Sequence, residues 1–219
     1  MTKPRLLLAD DHPLILEGLR RVLEPEFEIV GTAMNGRELV ALAGTLQPDA
    51  VLLDIGMPEL NGVEAARQIR ELLPAIKILF VTQMEDRAYV RAAFQAHASA
   101  YLLKQSVVTE LAPALRAALA GHFYISKSLR LGGMEALFNN QVNPSDIFGQ
   151  RLTGRQREVL QLVAEGKSGK EIGASLGISI KTVEFHKSAI MNELGLRTTA
   201  ELTRYALEQG ISVSTSRPS

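Results

Sequence analysis

The chain has no cysteine among its 219 residues, which excludes a disulfide framework and any cysteine–metal site. Long apolar runs are missing too: nothing approaches the roughly 18 uninterrupted apolar residues of a membrane span. The start, Met1-Thr-Lys-Pro-Arg5, runs straight into a short strand pattern and lacks a signal-peptide core. A soluble cytoplasmic protein with no membrane partner is expected. Internal repeats and low-complexity tracts are also lacking. Net charge is +0 at pH 7, but that zero hides an asymmetry. Residues 1–150 hold 14 Lys/Arg against 17 Asp/Glu, and residues 151–219 hold 10 against 7. An acidic first part and a basic second part point to different partners. The surplus of three positive charges is too modest to establish a nucleic-acid ligand alone.

What is present is more informative. Four short apolar runs each end on a polar residue. Arg5-Leu-Leu-Leu-Ala9 ends in Asp10-Asp11, and Asp49-Ala-Val-Leu-Leu53 ends in Asp54. Ile76-Lys-Ile-Leu-Phe-Val81 ends in Thr82, and Ala100-Tyr-Leu-Leu103 ends in Lys104. Runs of this length, separated by helical patterns, read as buried parallel strands. In an open parallel sheet, ligands bind at the carboxyl ends of the strands, where the winding reverses. Residues scattered along the first half therefore meet in one cleft.

The residue types suit one chemistry. Crowded carboxylates repel one another, and a hard divalent cation such as Mg²⁺, bound through Asp10, Asp11 and Asp54, relieves that repulsion. Asp54 can act as a nucleophile, because aspartyl phosphates are an established covalent intermediate. Lys104 offers a point charge to a phosphate, and Thr82 a hydroxyl.

On these residues, 1–120 resemble the receiver domain of two-component response regulators. Asp10-Asp11, Asp54-Ile-Gly-Met-Pro58-Glu-Leu-Asn-Gly62, Thr82 and Tyr101-Leu-Leu-Lys104 stand where that family places its acidic pair, phosphoacceptor, switch hydroxyl and lysine. The resemblance implies a histidine kinase as partner and Tyr101 as a switch aromatic that turns inward when Thr82 moves toward the phosphate. Ala100, Gln83 and Gln105 depart from the commonest pattern without removing a catalytic group. Gln83 stands where it can narrow access to the phosphoryl site.

Along the chain, strands and helices alternate five times, a (βα)₅ unit. The periodicity predicts a helix over 13–24, with Leu14, Ile15, Leu19, Val22 and Leu23 on its inner face. It predicts a strand over 28–33, and helices over 35–46 (capped by Asn35), to about 72, 86–97 and 107–120. Gly121 ends the unit. Residues 122–150 lose periodicity and collect Gly132-Gly133, Asn139-Asn140 and Asn143-Pro144, which reads as a linker with a helical segment around 126–138. His12, His97 and His122 read as histidines without partners at metal spacing.

Residues 151–219 are all helical in pattern. Thr153 caps a helix to about 165 that Gly166 stops, with Val159, Leu160, Leu162 and Val163 inward. Ser168 begins a short helix, 169–176, and Gly177-Ile178 makes a tight turn. Ser179 caps a longer helix to Leu194, stopped by Gly195, and a last helix covers 199–209. A short helix, a glycine-containing turn and a capped second helix form a helix-turn-helix signature. Leu152-Thr-Gly-Arg-Gln-Arg-Glu-Val-Leu160, Lys181-Thr-Val-Glu-Phe-His186 and Leu194-Gly-Leu196 resemble the DNA-binding domain of the LuxR/NarL type.

The second helix of such a motif enters the major groove with its N-terminal residues near base edges. Val183, Ile190 and Leu194 are expected to face the core, which turns Glu184, Phe185, Lys187, Ser188 and Met191 outward. The resemblance implies that Glu184, Phe185 and Ser188 approach bases. Lys170, Lys181, Thr182, His186 and Lys187 then approach phosphates. Packing of Phe185 into the core is the alternative.

Taken together, the expectation is a NarL/FixJ-type response regulator: a doubly wound α/β receiver over 1–121, a linker over 122–150 and a small all-α helix-turn-helix domain over 151–219. It takes a phosphoryl group on Asp54 with Mg²⁺, dimerises when phosphorylated and binds promoter DNA. It is no enzyme beyond catalysing its own phosphorylation and dephosphorylation. A Mg²⁺ phosphohydrolase built on an aspartyl phosphate would need a general acid and a cap, and the sequence offers neither. A regulator controlled by protein or ligand binding alone would not need the intact five-residue site.

Overall fold

The computed structural model describes residues 2–131, 152–209 and 211. They fall into two compact units, one up to Gln141 and one from Val142, each described by itself. In the first, β1 (Arg5–Ala9), β2 (Glu28–Ala33), β3 (Ala50–Leu53), β4 (Lys77–Thr82) and β5 (Ala100–Leu103) alternate with five helices. These are α1 (Pro13–Leu23), α2 (Gly36–Leu46), α3 (Gly62–Leu72), α4 (Arg87–Gln95) and α5 (Val107–Leu119). A 3₁₀ turn, Lys104–Ser106, joins β5 to α5. With a short sixth strand, β6 (Tyr124–Ile125), the strands are parallel in the order β2-β1-β3-β4-β5-β6. The winding reverses between β1 and β3, so a crevice opens beyond Ala9 and Leu53.

Alternation along the strands fills two layers. Leu7, Val51, Leu53, Ile78, Phe80, Tyr101 and Leu103 pack with Leu39, Ala43, Ala66, Ile69 and Val90 of α2, α3 and α4. Leu6, Leu8, Leu52, Leu79, Val81 and Leu102 pack on the other face with Leu16, Leu19, Leu23, Leu111 and Leu115 of α1 and α5. Each fully buried Leu or Ile contributes roughly 1.5–3 kcal/mol, and sheet strands covered on both faces must be apolar throughout. That is why the four runs were readable.

Two expectations need correction. The inner face of α1 is Leu16, Leu19 and Leu23, whereas Leu14 is 87% exposed and Val22 37%. The consecutive apolar residues Leu14-Ile15-Leu16 contain no polar residue to set the phase, so the sequence pattern slipped by part of a turn. The stretch read as linker from 122 starts inside the first unit. Tyr124–Ile125 form β6 on the open edge of β5, and Lys127–Leu131 form a short helix, α6. A two-residue strand is too short for any periodicity to show. The rest of the linker reading, 132–150 with its helical segment, lies outside the described residues.

The second unit contains α7 (Gly154–Ala164), α8 (Gly169–Leu176), α9 (Ile180–Leu194) and α10 (Thr199–Glu208). Thr153, Ser168 and Thr198 each form a capping box, with Gln156, Glu171 and Glu201 respectively. The Ser179 side chain accepts from Thr182 N at the start of α9. Val159, Leu160, Leu162, Val163, Ile172, Val183, Ile190, Leu202 and Ala206 make the core. Gly173 permits the tight approach of α8 to α9: a Cβ there would lie 2.8 Å from the Ile178 carbonyl oxygen.

Candidate functional site

The parallel pairing of β1 with β3 puts Ala9 beside Leu53, so the next residues, Asp10 and Asp54, emerge side by side. Asp54 N donates to the Ala9 carbonyl at 3.0 Å and Asp10 N to the Ala33 carbonyl at 3.2 Å. Both carboxylates are buried, at 1% and 7% residue exposure. Lys104 reaches in from the end of β5, its Nζ 2.6 Å from Asp10 Oδ2 and 2.7 Å from Asp54 Oδ2. The other Asp54 oxygen, Oδ1, accepts from Ile55 N at 2.6 Å. One ammonium thus bridges two carboxylates. Burial alone would lower the Lys104 pKa, but the charges and hydrogen bonds of Asp54 and Asp10 outweigh it and hold the ammonium above its ordinary value. Burial pushes Asp10 upward against the opposing pull of Lys104.

The loop after Asp54 is pinned close to it. Gly62 N donates to the Ile55 carbonyl at 3.0 Å, and a Cβ on Gly62 would collide with the Asp54 carbonyl oxygen. Only glycine lets α3 start there.

Asp11 stands at the mouth. Its Oδ1 is buried without an aligned hydrogen-bond donor, although His12 Nδ1 lies 2.7 Å away. Asp10 Oδ1 accepts from His12 N at 3.0 Å. Among the described residues, the group whose ligand atoms lie within 4.8 Å of one another is Asp10, Asp11 and His12. The reading that His12 lacks partners at metal spacing is therefore overturned: the turn into α1 folds its ring back over both aspartates. Asp54 stands outside that group, joined to Asp10 by the Lys104 ammonium, which fills the space between the two carboxylates. A buried carboxylate oxygen with no aligned hydrogen-bond donor, beside a second carboxylate, fits a hard cation.

Thr82 and Tyr101 meet on one residue. Thr82 is fully buried, and its Oγ1 accepts a long bond, 3.4 Å, from Met84 N. Tyr101 is 1% exposed and its hydroxyl donates to the Met84 carbonyl at 2.7 Å. The phenol lies inward, and burial, with the Asp54 charge adding, pushes its pKa well up. Beside Lys104, Gln83, Glu85, Leu103 and Gln105 line a cavity of about 390 Å³, where Gln105 Nε2 donates to Glu85 Oε1 at 3.0 Å.

In the second unit, α9 buries Val183 and Ile190, and Leu194 packs on the same core. Phe185 is 70% exposed, which decides against its packing inward. Lys181, Glu184 and Ser188 are exposed; Thr182, His186 and Lys187 are half-buried. Lys170, on α8, is exposed. Met191 does not face outward as expected, because it packs against the helical core; it follows Ile190 directly and shares part of its face. Glu184 and Lys187 pair one turn apart, Nζ to Oε1 at 3.1 Å.

Comparison with known proteins decides the family. Residues 6–116 match the response regulator receiver domain, and residues 150–206 match the bacterial regulatory proteins of the luxR family. The chain is a response regulator of the NarL/FixJ type. It is 36% identical over 211 residues to the transcriptional regulatory protein MctR of Rhizobium johnstonii, covering 95% of each chain. It is 38% identical over 204 residues to the transcriptional regulatory protein LiaR of Bacillus subtilis, covering 92% of this chain and 96% of that one. Among solved structures, RcsB of Salmonella enterica serovar Typhimurium, bound to promoter rprA with the phosphomimetic BeF₃⁻, aligns with a TM-score of 0.59. That match is 27% identical and covers 93% of this chain and 98% of that one.

For this response regulator the receiver unit brings Asp10, Asp54 and Lys104 into direct contact, with Asp11 beside Asp10, and joins Thr82 to Tyr101 through Met84. Reading the sequence missed His12, whose ring is placed over Asp10 and Asp11 by the turn into α1 and not by any spacing. Among the described residues, no helix is long and apolar enough to cross a membrane.

Proposed function

We propose that Asp54 is the phosphoacceptor, taking a phosphoryl group from a sensor histidine kinase or a small phosphodonor. The observation that carries this reading is the Lys104 ammonium spanning Asp10 and Asp54 at the winding reversal. An Asp54 carboxylate oxygen attacks phosphorus, the bond to the donor breaks, and the donor atom leaves with the electron pair. Lys104 then has a third anion to bind and moves its charge to the phosphoryl oxygens. Asp11, Asp10 and Asp54 would hold Mg²⁺, Asp10 chiefly through water; when bound, it offsets phosphoryl charge. The Asp11 oxygen, buried without an aligned hydrogen-bond donor, supports that assignment.

The switch runs through Met84. A phosphoryl oxygen near Thr82 draws its hydroxyl away from the long bond to Met84 N, while Tyr101 holds the Met84 carbonyl from the inner side. The β4–α4 connection is thereby biased between two states. The receiver acts on its own aspartate and turns over no separate substrate. The consequence is homodimerisation and binding of promoter DNA in the cytoplasm, with α9 in the major groove. Lys170, Lys181, Thr182, His186 and Lys187 approach phosphates, and Glu184, Phe185 and Ser188 approach base edges.

The test compares the parent with Asp54→Asn, using a labelled phosphodonor. The parent takes up label, dimerises and binds duplex more tightly. Asp54→Asn stays folded and does none of these. Uptake by the variant at the parental rate would show that Asp54 is not the acceptor.

A further inference from the structure

We propose that Ser126, which follows the receiver family match, is a positioning residue for Lys104. Residues 122–131 are then a working part of the phosphoacceptor site and not a tether. The proposal rests on the reading of Asp54 and Lys104 above.

The chain of contacts begins at the edge of the sheet. β6 pairs in parallel with β5, Ala100 beside Tyr124 and Tyr101 beside Ile125. Ser126 N continues the ladder, donating to the Tyr101 carbonyl at 2.9 Å. There the strand ends, and α6 turns away. The next β5 amide, Leu103 N, still needs an acceptor, because a buried backbone donor left alone is costly. It donates to Ser126 Oγ at 3.1 Å. Ser126 is fully buried, so its hydroxyl stands in for a missing ladder carbonyl.

That bond falls at a critical joint. Leu103 is the last residue of β5, and Lys104 opens the 3₁₀ turn. The Leu102–Leu103 peptide held by Ser126 is the last fixed unit before Lys104, and so sets where the Lys104 side chain starts. From there the ammonium must reach Asp10 and Asp54 together, at 2.6 and 2.7 Å. A donor that loses its acceptor moves toward another one, and a small displacement of a charged group is costly in rate.

The segment is itself clamped. Glu110, buried in the first turn of α5, accepts through Oε2 from the Tyr124 hydroxyl at 3.0 Å and from Lys127 N at 3.2 Å. These contacts flank Ser126 on both sides. Ile125 and Leu129 pack into the layer that also holds Tyr101 and Leu103. A buried carboxylate is an expensive way to fasten a mere tether.

The experiment uses the full chain with acetyl phosphate as donor, and compares the parent with Ser126→Ala and Ser126→Cys. The cysteine keeps the volume but is a weak acceptor. Both variants should take up the phosphoryl group about tenfold more slowly, the cost of an unmade buried hydrogen bond expressed as rate. The Lys104 ε-methylene resonances should move in the unphosphorylated variants, and those of Lys187 should not. Parental uptake in both variants would overturn the proposal. So would slow uptake with Lys104 resonances unmoved, since that is general loosening. Asp54→Asn, run alongside, separates the two readings: parental uptake by it removes the acceptor assignment itself and this proposal with it.

Discussion

Lys104 in the receiver unit and Lys187 in the luxR-type unit both bind carboxylates, in opposite settings. The Lys104 side chain is 9% exposed and bridges two buried aspartates on different strands. Lys187 pairs with Glu184 one turn away on the same helix, and that carboxylate side chain is 55% exposed. A buried bridge cannot lose one member without leaving charges unpaired in a poor solvent. An exposed pair is worth little and exchanges readily for another anion. On the proposed function, the first arrangement stores a response that a phosphoryl group releases, and the second keeps a cation available to a DNA phosphate without committing it.

The largest expected effect comes from breaking the buried bridge. Lys104→Ala leaves Asp10 and Asp54 facing each other and should cost roughly 3–5 kcal/mol of receiver stability in Mg²⁺-free buffer. Added Mg²⁺ should return part of it, because a divalent cation can replace the lost charge. Lys187→Ala should change stability by no more than about 0.5 kcal/mol. Urea melts of the two variants side by side test the contrast; equal losses would erase it.

Most of the fold behind this contrast was legible in the sequence. The runs Arg5–Ala9 and Ala50–Leu53 gave the strands because both faces of a parallel sheet are covered, and the strand order then fixed where Asp10 and Asp54 emerge. Glycines and capping residues such as Thr153, Ser168 and Gly177 marked the helix ends because those backbone groups need partners or a positive φ. Three features were not legible. Leu14 looked like core because an unbroken apolar triplet has no phase. β6 was too short to show a period. His12 had no visible partner, because a ring folding back over its neighbours depends on the turn and not on spacing.

On the helical side, the pairing of Glu184 with Lys187 sharpens the prediction for α9. Glu184→Ala removes the carboxylate proposed to face the bases and frees Lys187, so it should alter the preferred sequence by roughly 1–3 kcal/mol at one base pair. It should also raise the affinity for random duplex. Lys181→Ala should instead weaken specific and random duplexes alike and lower the salt slope by about one. Site selection from a random pool, done with both, separates the roles. An altered preference for Lys181→Ala with none for Glu184→Ala would mean that α9 is seated the other way round.

A smaller effect is expected at Asp11, whose buried oxygen lacks an aligned donor. Asp11→Ala relieves repulsion with Asp10 and should stabilise the Mg²⁺-free receiver by about 1 kcal/mol, while removing its response to Mg²⁺. A urea melt without Mg²⁺ measures the first, and titration of the cleft resonances with Mg²⁺ the second. An unchanged response would take Asp11 out of the cation site, and a destabilised variant would show that His12 already satisfies it.

The smallest effect lies in the capping boxes, where the luxR-type unit holds charge at its surface. Hydrogen bonds from the Ser168 hydroxyl and then its backbone N–H hold the Glu171 carboxyl below its ordinary value. Glu201 is lowered likewise by the Arg197 and Thr198 backbone N–H groups. A carboxylate whose folded pKa is depressed contributes stability that is fully present above its unfolded value of about 4.3. That contribution is lost as pH falls through the lower folded value. Neutral solution therefore leaves both caps intact, and acid weakens them in a narrow window below about pH 4.3. Both groups are exposed, so solvent and salt screen the effect, and it should appear as local fraying before any global unfolding. The backbone amides of Ser168 and Thr198, followed by NMR down that window, should titrate with midpoints below the ordinary glutamate value. Midpoints at or above that value would mean the boxes hold their helices by geometry alone, with no charge in the bond.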